Sequence, residues 1–313
     1  MKIGEIEPGP RDTIADVEGV RVGHTTLIEG DDVRTGVSVV VPPALPLFAG
    51  AHRLNGNGEL TGLEWVRESG LLTTPIALTN THSVGVVRDA LVAAMAGRAD
   101  WSLPVVGECW DGVLNDIDGF HVRAEHVHAA LDGASSEFAQ GNVGGGTGMI
   151  CHGLKGGIGS ASRRAGEHVV GVLVQANHGR RGRLRIDGVL VGRELADVPL
   201  PGRDGPGGSI IVVVATDAPL LPHQCERVAQ RTALGIARTG GAGENSSGDL
   251  SFCFSTQPVG ETVRMLPNER IDDLFYATIE ATEAAIVNAL LAAETMSGRG
   301  TTVHALPRAA LER

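Results

Sequence analysis

Two glycine-rich segments, Gly141–Gly148 (GNVGGGTG) and Gly240–Gly248 (GGAGENSSG), constrain this chain more than any other feature. They are too short to tether separate domains, and Asn, Val, Thr, Glu and Ser interrupt them too regularly for a flexible coil. Glycine permits left-handed turns and close backbone approach. It fills 44 of 313 positions, roughly twice ordinary usage. No Gly-X-Y period orders these residues, so a collagen helix is excluded. The fold must therefore crowd backbone against backbone at many points. A hydrophobic share of 42% can fill a core, and no long block of like charge exists, which excludes a disordered chain.

β-Branched runs recur at Val20–Val22, Val37–Val41, Ile76–Thr79, Val169–Val174, Ile210–Ala215 and Phe252–Ser255. Gly, Pro or Asp bounds each, as expected of strands. Between them lie helical patterns at Asp89–Ala96, Pro222–Thr239 and Ile271–Met296. In the last, Leu274, Ile279, Ala285, Ile286 and Leu290 keep a helical spacing, with Ser297, Gly298 and Gly300 read as its stop. No linker and no internal repeat appears. One α/β domain with mixed sheets over residues 1–313 is the expectation.

The net charge of −11 argues against nucleic acid and anionic membrane surfaces as partners. The apolar runs are strand-sized, below the roughly 20 residues of a membrane span. Cys109, Cys151, Cys225 and Cys253 are far apart, without CxxC or metal-ligand spacing. The start MKIGEIEPGPRD has no apolar signal segment, so free thiols and a cytoplasmic location are expected. HExxH is absent, and His121, His126 and His128 read as surface or core-edge residues. No metal and no cofactor is expected. Gly141–Gly148 lacks the GKS or GKT of a phosphate loop, so its local reading is a set of structural turns. The segment Gly243–Asp249 (GENSSGD) lies between a helix and an apolar strand. By composition it is a turn.

The order of several blocks goes further: DVEGVRVGHTT (16–26), NGNGELTGLEW (55–65), TNTHSVGVVRDA (79–90), ECWDGVLND (108–116), GNVGGGTGMICHGLKGGIGSASR (141–163), VGVLVQANHG (170–179), VVATDAPLLPHQ (213–224), ARTG…NSSGDLSFCFST (237–256) and ATEAAIVNALLAAETMSG (281–298). With these blocks the chain resembles the DmpA-type L-aminopeptidase/D-esterase family, the β-aminopeptidases, over nearly its whole length. The resemblance implies an α/β (α+β) fold, a four-layer αββα sandwich of the DmpA/ArgJ-like type. It implies a precursor that cuts itself between Ser246 and Ser247 into 1–246 and 247–313. Ser247 is then the nucleophile, and its new α-amino group the base. Such an amine has a pKa of roughly 8, near working pH, so it can take and return the hydroxyl proton. Asn177, in the QAN block, is the implied oxyanion donor. Thr282 and Glu283 on the C-terminal helix are the implied hydroxyl and carboxylate, with Glu280 as rival. Many relatives read ATEEA, whereas this chain has Ala284 where the second Glu would stand. Trp110 reads as a pocket wall, Gly144 and Gly145 as pocket backbone, and Asp111 and Asp116 as loop or substrate-facing acids.

The implied activity is release of N-terminal amino acids from a small peptide, amide or ester substrate through an acyl-enzyme. An ω-amino-acid oligoamide hydrolase and a non-catalytic binding scaffold of the same fold are the alternatives. A homo-oligomer, a tetramer of processed units, is expected from the family.

Overall fold

The structure is a computed structural model that describes residues 3–98, 101–202 and 208–308. In chain order the strands are β1 (Arg21–Glu29), β2 (Val33–Val41), β3 (Leu47–Arg53), β4 (Leu71–Leu72), β5 (Ile76–Asn80), β6 (Val105–Cys109), β7 (Ile150–Cys151), β8 (Leu154–Lys155), β9 (Gly157–Ala165), β10 (His168–Asn177), β11 (Ser209–Thr216), β12 (Gly248–Ser255), β13 (Met296–Gly298) and β14 (Thr301–Val303). The α-helices are α1 (Leu63–Ser69), α2 (Val84–Met95), α3 (Ala124–Asp132), α4 (Pro222–Arg238) and α5 (Asp272–Ala292).

Two sheets form the centre. One runs β1-β2-β5-β6, the other β4-β3-β12-β11-β10-β9. Pairing is antiparallel except for β5 with β6 and β11 with β12, which are parallel. A helix fills each parallel crossover, α2 in the first and α4 in the second, as parallel neighbours require. The residues alternate accordingly. On β11, Ile211, Val213 and Ala215 join a core with Val40, Leu78 and Val105 of the other sheet. The intervening Ile210, Val212 and Val214 face a second core with α4 and α5. A strand buried on both faces needs a continuous apolar run, which is why Ile210–Ala215 carries no polar residue. A third core joins Val37, Val39 and Ala77 to Val87 and Leu91 of α2 and Val127 of α3. The layers are thus α2/α3, sheet, sheet, α4/α5: the expected αββα sandwich.

The C-terminal helix departs from expectation at its end. α5 stops at Ala292, not Met296, because Ala293 turns to extended backbone. Asn142 of the first glycine segment clamps the next residue, donating to Glu294 C=O at 2.7 Å and accepting its N–H at 3.0 Å. Met296–Gly298 instead pairs with Thr301–Val303. Arg299 and Gly300, both with positive φ, make the hairpin turn, so Ser297 and Gly298 are strand residues. α5 is also long and apolar enough to cross a membrane by length and composition, a length the strand-sized runs did not suggest, yet 83% of its most apolar 18-residue stretch is buried in the protein. It packs on β9, β10 and α4.

Backbone crowding is concrete where β9 meets α5. A Cβ on Gly159 would lie 2.6 Å from Ala289 N and 2.8 Å from its Cβ. Gly159→Ala is expected to lower stability by about 1–3 kcal/mol through overpacking, read as a lower urea midpoint with an unchanged slope.

Candidate active site

Ser247 stands where the loop from α4 turns into β12. The turn is closed by Ser247 N–H donating to Glu244 C=O at 2.8 Å. Gly248 follows because a Cβ there would sit 2.6 Å from Asn57 C=O and 2.7 Å from Gly58 Cα. The second glycine segment therefore lets the chain 55–58 press against the start of β12. Ser247 is 1% exposed, and its hydroxyl donates to Asp249 Oδ1 at 2.6 Å.

Two asparagines of the 55–57 segment hold this turn from the other side. Asn55 accepts Asp249 N–H at 2.6 Å and donates to Asp249 Oδ2 at 3.2 Å and to Glu244 C=O at 3.1 Å. Asn57 donates to Ser246 C=O at 2.6 Å. The carbonyl on the N-terminal side of Ser247 is thus polarised by a donor, while the Ser247 hydroxyl rests on a carboxylate. Burial pushes the Asp249 carboxyl above the usual range, opposed by its bonds from Ser247 and Asn55, so it is a stronger base than an exposed aspartate.

Ser246 and Ser247 open onto a cavity of about 620 Å³ lined also by Trp110, Gly148, Asn177 and Glu244. Asn177 ends β10 and is locked from both sides. Its Oδ1 accepts Ile150 N–H at 2.7 Å, and its Nδ2 donates to Trp110 C=O at 3.0 Å. The amide carries a second N–H, so one donor of a rigidly held side chain is left for a ligand. Glu244 lines the same cavity, and its Oε1 is buried without a hydrogen-bond partner.

Three placements differ from the sequence expectation. Gly144 and Gly145 do not line the cavity; they form a 3-10 turn, Gly144–Gly146, pressed against β1, β2, β5 and β10. A Cβ on Gly145 would lie 2.6 Å from Leu78 C=O, so these glycines serve packing, and Gly148 supplies the cavity backbone instead. Thr282 is buried in α5 with its hydroxyl donating to Thr278 C=O at 2.7 Å. Glu283 pairs with Arg238 at 3.3 Å and lines a separate cavity of about 750 Å³. Its rival Glu280 accepts the N–H of Ile6 at 2.9 Å and of Glu5 at 3.1 Å, which fastens the N-terminal segment. The carboxylate at Ser247 is Asp249, from the same strand. Asp111 is buried and accepts from Asn115 at 3.1 Å, and Asp116 N–H donates to Asp32 C=O at 2.7 Å; both hold their loop together.

Asn55, Asn57, Asp249 and Glu244 are the site residues that the sequence alone did not single out. Ser247 and Asp249 share one face of an extended segment by the two-residue period, a signal that was available. Nothing in the linear sequence ties 55–57 to 246. The fold also gathers Cys151, His152 and His178, a cluster that the cysteine and histidine spacings did not suggest.

The chain and its fold have counterparts among known proteins. The profile of peptidase family S58 matches residues 12–303. The chain belongs to this family. A beta-peptidyl aminopeptidase of Sphingosinicella microcystinivorans is 46% identical, over 97% of this chain and 88% of that relative. A Burkholderia sp. beta-aminopeptidase structure superposes with TM-score 0.93 at 53% identity, covering 99% of this chain and 95% of the other. The L-aminopeptidase D-Ala-esterase/amidase of Ochrobactrum anthropi, described as a new variant of the Ntn hydrolase fold, gives TM-score 0.90 at 40% identity, covering 98% and 94%. This S58 member is a hydrolase of the aminopeptidase class, with the mixed α/β architecture of that Ntn variant.

Proposed function

We propose that Ser247 is the nucleophile of this aminopeptidase, and that the chain activates it by cutting itself between Ser246 and Ser247. The observation that carries this is the pairing at one peptide bond: Ser247 Oγ–H on Asp249 Oδ1, and Asn57 Nδ2–H on the Ser246 carbonyl. Asp249 takes the hydroxyl proton while Oγ attacks the Ser246 carbonyl carbon. The developing oxyanion keeps the Asn57 hydrogen bond. The C–N bond then breaks, and the Ser247 nitrogen takes the proton from Asp249 and leaves as an amine. Water hydrolyses the resulting ester, which frees Oγ and leaves a carboxylate at Ser246.

After the cut, the Ser247 amine is a base of pKa roughly 8 on the nucleophile itself. It receives the Oγ proton during attack on a substrate carbonyl and returns it to the leaving group. The free N–H of Asn177 is the oxyanion donor in this step. Trp110 forms the cavity wall. Glu244 is suited to a substrate ammonium, because it is an acidic group lining the cavity whose Oε1 lacks a partner. Thr282 and Glu283 have no part in this scheme.

The substrate is a peptide, amide or ester with a free N-terminal amine. The beta-peptidyl name of the Sphingosinicella relative supports a β-amino-acyl end, and the name of the Ochrobactrum structure supports α-amino-acyl and D-Ala ester ends. Longer ω-amino-acyl amides are the competing substrates. A panel of α-, β- and ω-amino-acyl amides ranks them by kcat/KM, and preference for the ω-series would overturn the aminopeptidase assignment in favour of an oligoamide hydrolase. A cytoplasmic location is supported by four free, buried cysteines, since a reducing compartment keeps thiols unpaired. A tetramer of processed units rests on the family resemblance, and light scattering after size exclusion tests it.

Asn57→Ala is expected to slow self-cleavage by about 10²–10³-fold, the usual cost of one oxyanion donor. A time course of fragment appearance on denaturing gels measures it. Unchanged cleavage would assign the Asn57 contact to turn structure alone.

A further inference from the structure

We propose that Cys151, His152 and His178 form a binding site for a zinc-class divalent metal ion behind the substrate cavity. Their ligand atoms lie within 4.8 Å of one another, and all three side chains are buried. Cys151 Sγ stands 3.9 Å from His178 Nδ1. Ligands around a tetrahedral zinc are about 3.3–3.8 Å apart, so ring and thiol rotations close the set.

A buried ring nitrogen points to a ligand. His152 Nε2 lacks a hydrogen-bond partner, and His152 is 0% and His178 2% exposed. Leaving such a group unpaired has a free-energy cost, which a metal bond removes, while His178 ligates through Nδ1, the nitrogen beside the Cys151 sulfur. His152 is also oriented as metal ligands usually are, with its other nitrogen, Nδ1, on the Arg180 carbonyl at 3.1 Å.

The backbone presents these side chains deliberately. Cys151 pairs with Leu154 across a two-residue hairpin whose central residues, His152 and Gly153, both have positive φ. A histidine there is held in a conformation that L-residues seldom adopt. His152 N–H donates to His178 C=O at 2.7 Å, which fixes the hairpin against the end of β10.

The charges suit the ion. A thiol ligand gives up its proton when the metal binds. Glu244 acts on His152 from the cavity side and offsets part of the positive charge, whereas Arg181 opposes it. Since His178 lines the cavity, an ion can enter there, and a cavity water can take the fourth position.

The site adjoins the machinery without belonging to it. Ile150 and Asn177, the chain neighbours of Cys151 and His178, are hydrogen-bonded to each other. A bound ion would therefore pin the two strands that orient Asn177. The metal site stands or falls independently of Ser247 chemistry.

The full-length protein, stripped with chelator, is titrated with Zn²⁺ by calorimetry and with Co²⁺ by absorption spectroscopy. One ion per chain is expected, with a thiolate-to-cobalt charge-transfer band and a rise in melting temperature on adding Zn²⁺. Cys151→Ser should abolish the band and weaken Zn²⁺ binding by at least about tenfold, and His178→Gln should weaken it comparably. If Cys151→Ser does not fold, His178→Gln and His152→Gln carry the same comparison. No band in the wild type, a band retained in Cys151→Ser, or equal Zn²⁺ affinity in the His variants would overturn the proposal.

Discussion

Replacing Ser247 with alanine is expected to leave a single uncut chain of 32.5 kDa, whereas the wild type is expected to give two fragments, 1–246 and 247–313. The reason is chemical rather than structural. The side chain removes only an oxygen, and the methyl group that remains fits the space that the serine Cβ already occupies. The turn is held by Ser247 N–H on Glu244 C=O and by Asn57 on the Ser246 carbonyl, and neither bond uses the hydroxyl. Stability should therefore change little, apart from the lost hydrogen bond to Asp249, a net effect of about 1 kcal/mol. Self-cleavage and turnover should both vanish. Without Oγ no ester can form at Ser246, and without the cut the α-amine base stays locked in an amide. Aminopeptidase activity is expected to fall by at least about 10³-fold, in line with loss of a nucleophile in other acyl-transfer enzymes. Intact mass and amide hydrolysis on the same sample provide the check. Two fragments from the alanine variant would rule out Ser247 as the processing nucleophile, and a single chain with wild-type activity would make processing irrelevant to catalysis.

What the residues announce in advance follows from where the physics is local. Strands buried on both faces favour continuous apolar runs, so Ile210–Ala215 and the shorter Phe252–Phe254 stand out without any knowledge of neighbours. The helix Pro222–Arg238 begins at a proline suited to a first turn. The end of α5 was less legible, because the feature that fixes the following segment is Asn142, about 150 positions earlier in the chain. The site divides in the same way. Ser247 is legible because its block is matched as a unit. The carboxylate that meets it is Asp249, two residues on, and not one on α5, because the extended backbone places alternate side chains on one face. Arg238 and the N-terminal segment already engage Glu283 and Glu280. Gly144 and Gly145 read as pocket walls because a glycine-rich segment has two readings, and only the approach of Ser38 and Val37 to Gly144, and of Leu78 and Gln175 to Gly145, shows that packing is theirs.

Asp249→Asn is expected to slow self-cleavage by about 10²–10⁴-fold, the range for a general base. It should leave the fold in place, since the amide can keep the Asn55 backbone contact and still accept from Ser247 Oγ. The wild type adds a pH test whose sign follows from burial. Asp249 can accept the Ser247 proton only when ionised, and burial shifts its carboxyl above the usual range. Self-cleavage should therefore be slow in acid and rise with pH until Asp249 is ionised, at a midpoint above that of an exposed aspartate. The acid limb should be absent in Asp249→Asn, where the residual rate no longer depends on this group. Denatured precursor refolded across a pH series, quenched and counted as fragments, gives both profiles. An acid limb of the same midpoint in the variant would assign the titration to another group. Loss of cleavage in both Asp249→Asn and Asp249→Glu, with wild-type stability, would mean that the position and not merely the charge of the carboxylate matters. That outcome agrees with a contact of 2.6 Å, which a side chain longer by one methylene cannot reproduce without moving β12.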